Sequence, residues 1–160
     1  MRLSLAAGTS NGVQRADPMI RPAELSDRFA MVRMTRDFFE ASGLVLPFDA
    51  AWVEASIKAW ISDEEKLALV LDLEGVRGML CAAHVMSPLA PVRVSTEQAF
   101  WIDPCARGRW ALAMLRRYEG WAKAQGCAVA GLASMGGRGA DVIYRRRGFV
   151  PSETYYMKEI

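Results

Sequence analysis

Residues 105–120 read CARGRWALAMLRRYEG, and the fold turns on how this stretch is read. A short basic turn, Ala106 to Arg109, runs directly into an amphipathic helix predicted over Gly108 to Gln125. Ala111, Met114, Leu115, Tyr118, Trp121 and Ala122 recur at helical spacing and form one core-facing stripe. Upstream, Val92 to Asp103 reads as extended, and Pro104 forbids a continuing ladder bond. Gly108 lets the backbone approach a ligand, and the first-turn amides from about Gly108 to Leu112 have no intrahelical acceptors. With the positive helix end, Arg107 and Arg109, those donors describe a phosphate site. The competing reading is a basic corner exposed to solvent, since the helix itself needs no ligand.

Working outward, the pattern predicts alternating elements. Met19 to Arg21 begins a short strand that stops at Pro22, and Phe29 to Ala41 has helical spacing after a cap near Asp27. Asp49 caps a second helix carrying Trp52, Ile57, Trp60 and Ile61. Leu67–Leu73 and Gly78–Met86, joined through Glu74-Gly75, read as a hairpin. After the quoted helix come a strand over Cys127–Ser134, a loop at Gly136–Gly139, a short helix over Ala140–Arg146 and a last strand over Tyr155–Glu159. The order implies an α/β (α+β) chain: one mixed, mostly antiparallel sheet flanked by helices. Residues 1–17 read as a mobile leader and 18–160 as a single domain.

The composition narrows the function. The chain has 160 residues, 52% of them apolar, and a formal net charge of +2. These values argue against a disordered chain or one that coats nucleic acid. Positive charge concentrates late, at Arg107, Arg109, Arg116, Arg117, Arg138, Arg145, Arg146 and Arg147, so an anionic ligand is expected there. No recognition helix or aromatic stacking motif accompanies it. Cys81, Cys105 and Cys127 are far apart, give neither a disulfide framework nor a zinc spacing, and suit a reducing, cytoplasmic setting with no bound metal. No apolar run approaches the roughly 20 residues that span a bilayer, so no membrane partner is expected. Residues 1–7 are too weakly charged and apolar for a secretory signal.

Residues from about 20 to 160 resemble the GNAT superfamily of N-acetyltransferases. The resemblance rests on Arg107-Gly108-Arg109-Trp110-Ala111-Leu112, which opens like that family's pyrophosphate motif. It rests also on Tyr144-Arg145-Arg146-Arg147-Gly148-Phe149, which matches its Tyr-x-x-x-Gly-Phe ending, with Ala140 four residues before. Ile20-Arg21-Pro22-Ala23 with Asp27 resembles the family's first strand and helix cap. Trp110 and Leu112 depart from the usual small residues, and Gly137 replaces a frequent Asn.

The resemblance implies acyl transfer from acetyl-CoA to a primary amine, of a small molecule or a protein, by direct attack in a ternary complex. It assigns Phe100, Trp101 and Ile102 to the pantetheine side of a splayed strand. It assigns Arg107, Gly108, Arg109, Trp110, Ala111, Leu112 and Ala113 to the pyrophosphate. Trp110 is compatible with that role if its side chain points away from the phosphates, which need only the backbone. Of the arginine run before Gly148, one or two members are expected to reach the cofactor, Arg147 among them, and the rest form a solvated helix face. Tyr144 occupies the family position for a donor to the CoA sulfur, with a packed aromatic as the alternative.

Transfer to an amine also needs a base. Glu97 is the leading candidate, set against a solvent-facing strand carboxylate. Strand alternation groups Glu97 with Ala99 and Trp101, and Phe100 with Ile102, unless a bulge shifts the phase. His84, the single histidine, is the second candidate. The departures at 110, 112 and 137 support a different class of function, a GNAT-fold binding or assembly protein with weak or absent catalysis. Either form is expected as a monomer or homodimer.

Overall fold

The computed structural model describes residues 19–135 and 138–160. The expected leader and Gly136-Gly137 lie outside the described residues. Five strands form one sheet in chain order: β1 (Ile20–Pro22), β2 (Leu67–Asp72), β3 (Val76–Met86), β4 (Arg93–Ile102) and β5 (Cys127–Gly131). The first three pairings are antiparallel; β4 and β5 are parallel. That switch follows from the connection, because α3 (Arg109–Ala124) carries the chain back between them as a crossover helix. β1 includes Pro22, which an edge strand tolerates.

Helices cover both faces. On one face, α1 (Arg28–Ser42) and α2 (Ala50–Ile61) bury Met31, Met34 and Ile57 against Val70, Met79 and Cys81. On the other, α3 lays Ala111, Met114, Leu115 and Tyr118 on Leu69, Leu71, Leu80 and Ala82. Ile143 and Tyr144 of α4 (Arg138–Arg146) pack against the same cluster. The expected apolar stripe of α3 is therefore its core face, with Trp121 at the margin. Gly43, at φ +65°, ends α1, and the Asp49 side chain accepts the Trp52 amide at 2.8 Å to start α2.

A bulge controls β4. Cys81 pairs with Ala99 while Ala82 pairs with Glu97, so Gln98 has no opposite residue. The extra residue reverses the alternation. Ala99 and Trp101 pack on the α1/α2 side, whereas Phe100 and Ile102 face α3. Glu97, two residues beyond Ser95, which bonds α3, shares the α3 side with Phe100 and Ile102. Simple alternation had grouped it with Ala99 and Trp101, and the bulge overturns that grouping.

Two other expectations change. β5 ends at Gly131 rather than Ser134, because its ladder with β4 stops at the Thr96–Gly131 pair. The strand expected over Tyr155–Glu159 does not form: residues 149–160 have no regular secondary structure. An alternating pattern makes a strand only where a sheet edge supplies the ladder, and none pairs with this segment among the described residues.

Candidate functional site

The site begins where the parallel pair parts. β4 continues for six residues beyond its last rung with β5, from Glu97 to Ile102, while the other strand leaves as Leu132–Met135. Two side chains converge on one peptide in this wedge. The Ala133 amide donates to Glu97 Oε2 at 3.2 Å, and the Tyr144 hydroxyl donates to the Ala133 carbonyl at 3.2 Å.

Tyr144 reaches that place because of how α4 ends. Gly148 adopts φ +86°, its amide bonds the Arg145 carbonyl at 3.0 Å, and the Phe149 amide bonds the Tyr144 carbonyl at 3.1 Å. This is a left-handed helix cap, which a glycine makes without strain and an apolar contact usually accompanies. Here the contact is Phe149 on Tyr144, with ring centroids 6.3 Å apart. The Tyr-x-x-x-Gly-Phe pattern is therefore a device that stops the helix and fixes its tyrosine.

The electrostatics separate the two groups. Burial pushes the half-buried Glu97 carboxyl up to about 7, against the opposing pull of the Ala133 amide. Burial, and then the charges of Glu97 and Asp141, raise the Tyr144 hydroxyl above its ordinary range. Glu97 can thus accept a proton near neutrality, and Tyr144 stays a neutral donor. His84 lies elsewhere. It pairs with Ser95 two rungs below Glu97, under Trp121 at 5.6 Å between ring centroids and 3.5 Å from a Glu65 carboxylate oxygen.

At the far end of β4, a short turn over Pro104–Ala106 leads to Gly108, which caps α3 at φ +98°. The amides of Gly108, Arg109 and Trp110 have no acceptor among the described residues, and a Cβ added at Gly108 would meet nothing within 4 Å. Arg107 is anchored beside them: its Nε donates to the Ile102 carbonyl at 3.0 Å, and its guanidinium lies 5.1 Å from the Trp101 ring centroid. Trp110 packs against the α3-side core, under the Arg109 guanidinium at 4.5 Å, so its bulk turns away from the free amides. Ala111 is buried and Ala113 packs on the same core, while Leu112 is half-buried. These donors fit an anion such as pyrophosphate.

Arg147 is differently engaged, in a two-pronged pair with Glu119 of α3 at 2.9 and 2.5 Å. The turn itself is braced. Asp103 accepts two bonds from Arg33 of α1, at 3.1 and 3.0 Å, and one from Trp101 Nε1 at 3.1 Å. Two concavities of about 260 and 320 Å³ lie away from the wedge, around Pro22, Leu67, Leu69 and Trp121. Sequence reasoning missed Ala133, whose part is played by backbone alone. It also missed the partners of Tyr118, although a phenol in a core stripe already demands one.

No family model matches the sequence, and no curated protein matches it. Solved structures match the fold. A predicted acetyltransferase from Clostridium acetobutylicum, solved with acetyl-CoA, superposes with a TM-score of 0.73 at 15% identity, over 88% of this chain and 94% of that one. A GCN5-related N-acetyltransferase from Ralstonia eutropha JMP134 gives 0.70 at 19%, covering 88% and 97%. A transcriptional regulator from Bacillus halodurans C-125 gives 0.71 at 22%, covering 88% and 98%. At these identities the likeness is one of architecture: the chain has the GNAT, or acyl-CoA N-acyltransferase, fold. Among the described residues no helix is long and apolar enough to cross a membrane.

Proposed function

We propose that the protein, through residues 18–160, transfers an acetyl group from acetyl-CoA to a primary amine by direct attack within a ternary complex. The observation that carries this reading is the meeting of Glu97 and Tyr144 on the Ala133 peptide, where β4 and β5 part. A base poised near neutrality and a neutral hydroxyl donor are the pair that aminolysis of a thioester needs. Glu97 takes the proton lost by the amine as the new N–C bond forms. The Tyr144 hydroxyl supplies a hydrogen bond or proton to the sulfur as the C–S bond breaks. The free amides from Gly108 to Trp110, with Arg107, hold the pyrophosphate. The β4 backbone from Phe100 to Ile102 receives the pantetheine arm.

The test is calorimetry with acetyl-CoA, followed by turnover against a panel of amines. Arg107→Glu should weaken binding about tenfold or more, and Arg117→Glu, two turns along the helix, should do so much less. Equal losses at both sites would replace the local cradle with a diffuse charge effect.

A second reading is a GNAT-fold binding protein with little or no turnover. Leu112 and Trp110 in the helix opening favour it, as does the Bacillus halodurans likeness, whose name is regulatory. Tight acetyl-CoA binding with no amine acetylated would put it first.

A further inference from the structure

We infer that Tyr118 is a positioning residue: its hydroxyl ties β4 to β5 at their last rung and so sets where the strands part and where the Glu97 carboxylate sits. The inference rests on the acyl-transfer reading of Glu97.

Tyr118 is fully buried in the stripe that α3 lays on the sheet. Packing alone would be served by a phenylalanine there, and a phenol hydroxyl in a core is costly unless it is bonded. Both of its partners are in the sheet, one on each parting strand. It donates to the Gly131 carbonyl of β5 at 2.8 Å, and the Ser95 hydroxyl of β4 lies 3.0 Å away, so Ser95 donates to it.

The position along the strands is what matters. Thr96 and Gly131 form the last pair of the ladder, so beyond them no backbone bond between β4 and β5 fixes the angle of divergence. Ser95 lies two residues before Glu97, and Gly131 two residues before Ala133, whose amide Glu97 accepts. The Ser95–Tyr118–Gly131 chain is therefore a side-chain restraint that backs the last rung on both sides of that contact. Tyr118 touches neither reacting group; it acts through the spacing of the strands. The titratable groups that feel the Glu97 charge are Tyr118 from α3, Tyr144 from α4 and, on the opposite face of β3, Cys81, none of them cationic.

The experiment follows the Glu97 carboxyl directly, by carbon-detected NMR titration of the full chain, with Glu97→Gln to assign the resonance. Loosening the wedge changes both the burial of the carboxyl and its bond to the Ala133 amide, so Tyr118→Phe should move the Glu97 midpoint by about half a pH unit or more. Ser95→Ala, which leaves the bond to Gly131, should move it less and in the same direction. In turnover, the acid limb of kcat/KM should move with the midpoint. The kcat should fall about fivefold or more while KM for acetyl-CoA stays within about twofold, as expected for a misplaced group rather than lost binding. An unchanged Glu97 midpoint in both variants would overturn the inference, even if melting temperatures fall. Should Tyr118→Phe fail to fold, Ser95→Ala decides alone. If the parent acetylates no amine, the functional reading fails, and the titration still judges the positioning role.

Discussion

Glu97 carries opposite consequences for chemistry and for stability. Its carboxyl binds a proton more tightly in the folded protein than in the unfolded chain, up to about 7 against an ordinary 4.5. Between those values the folded state holds the extra proton, so stability falls as pH rises through that window and then levels. Glu97→Gln, which keeps an acceptor for the Ala133 amide, should be more stable than the parent by on the order of 2 kcal/mol at pH 8. The difference should vanish near pH 4, as urea unfolding at the two values would measure. The same variant should lose most of its turnover. Tyr144→Phe separates binding from chemistry in another way. It keeps the ring against Phe149 but removes the hydroxyl, so kcat should fall about tenfold or more with acetyl-CoA affinity nearly unchanged. Turnover equal to the parent's in both variants would show that these residues are misassigned on a correct fold.

Two glycines show how much the elements depend on single backbone positions. Gly148, at φ +86°, ends α4, and an added Cβ there would meet no neighbour. Gly148→Ala should therefore cost about 1 kcal/mol through backbone strain alone. It should also lower kcat, because the cap that orients Tyr144 is weakened; thermal melts and kinetics on one preparation would measure both. Gly78 in β3 has the opposite problem. A Cβ there would lie 3.2 Å from Ile102 Cγ1, Leu71 Cβ and the Trp101 carbonyl oxygen, so Gly78→Ala should destabilise by about 1–3 kcal/mol through crowding. The difference in legibility between elements has a physical basis. α3 was readable because its stripe and its glycine start are local. The face of Glu97 was not, because the bulge at Gln98 is settled by pairing with Cys81 and Ala82 of β3, well back along the chain. β5 was read too long for a related reason: Leu132 to Ser134 have strand-like side chains but no ladder.

Across the whole molecule, ion pairs hold the two ends of the sheet to the helical layer. Arg21 of β1 bonds both Asp27, at 2.7 and 3.0 Å, and Asp72 at the end of β2, at 2.9 Å. The Arg21 guanidinium holds the buried Asp27 carboxyl below its ordinary range. Its folded affinity for protons is reduced, so the stability it provides is present above about pH 4 and lost as pH falls through the folded value. Asp27→Asn should flatten the acid limb of an unfolding curve while lowering stability at pH 7 by about 1–3 kcal/mol. The first strand and the cap at Asp27 were legible as a local pattern. Their joint partner Asp72 was not, since it lies 45 residues further along the chain and meets them only through the β1–β2 pairing. At the opposite end, Trp101 is held by Asp103 through its indole N–H and covered by the Arg107 guanidinium. That makes the ring an optical gauge of the loop beside it. An anion that draws Arg107 off the indole changes the electric field across the chromophore, so inorganic pyrophosphate should shift the protein's ultraviolet emission in a saturable way. Trp101→Phe should remove most of the shift, leaving the smaller response of Trp110 under Arg109.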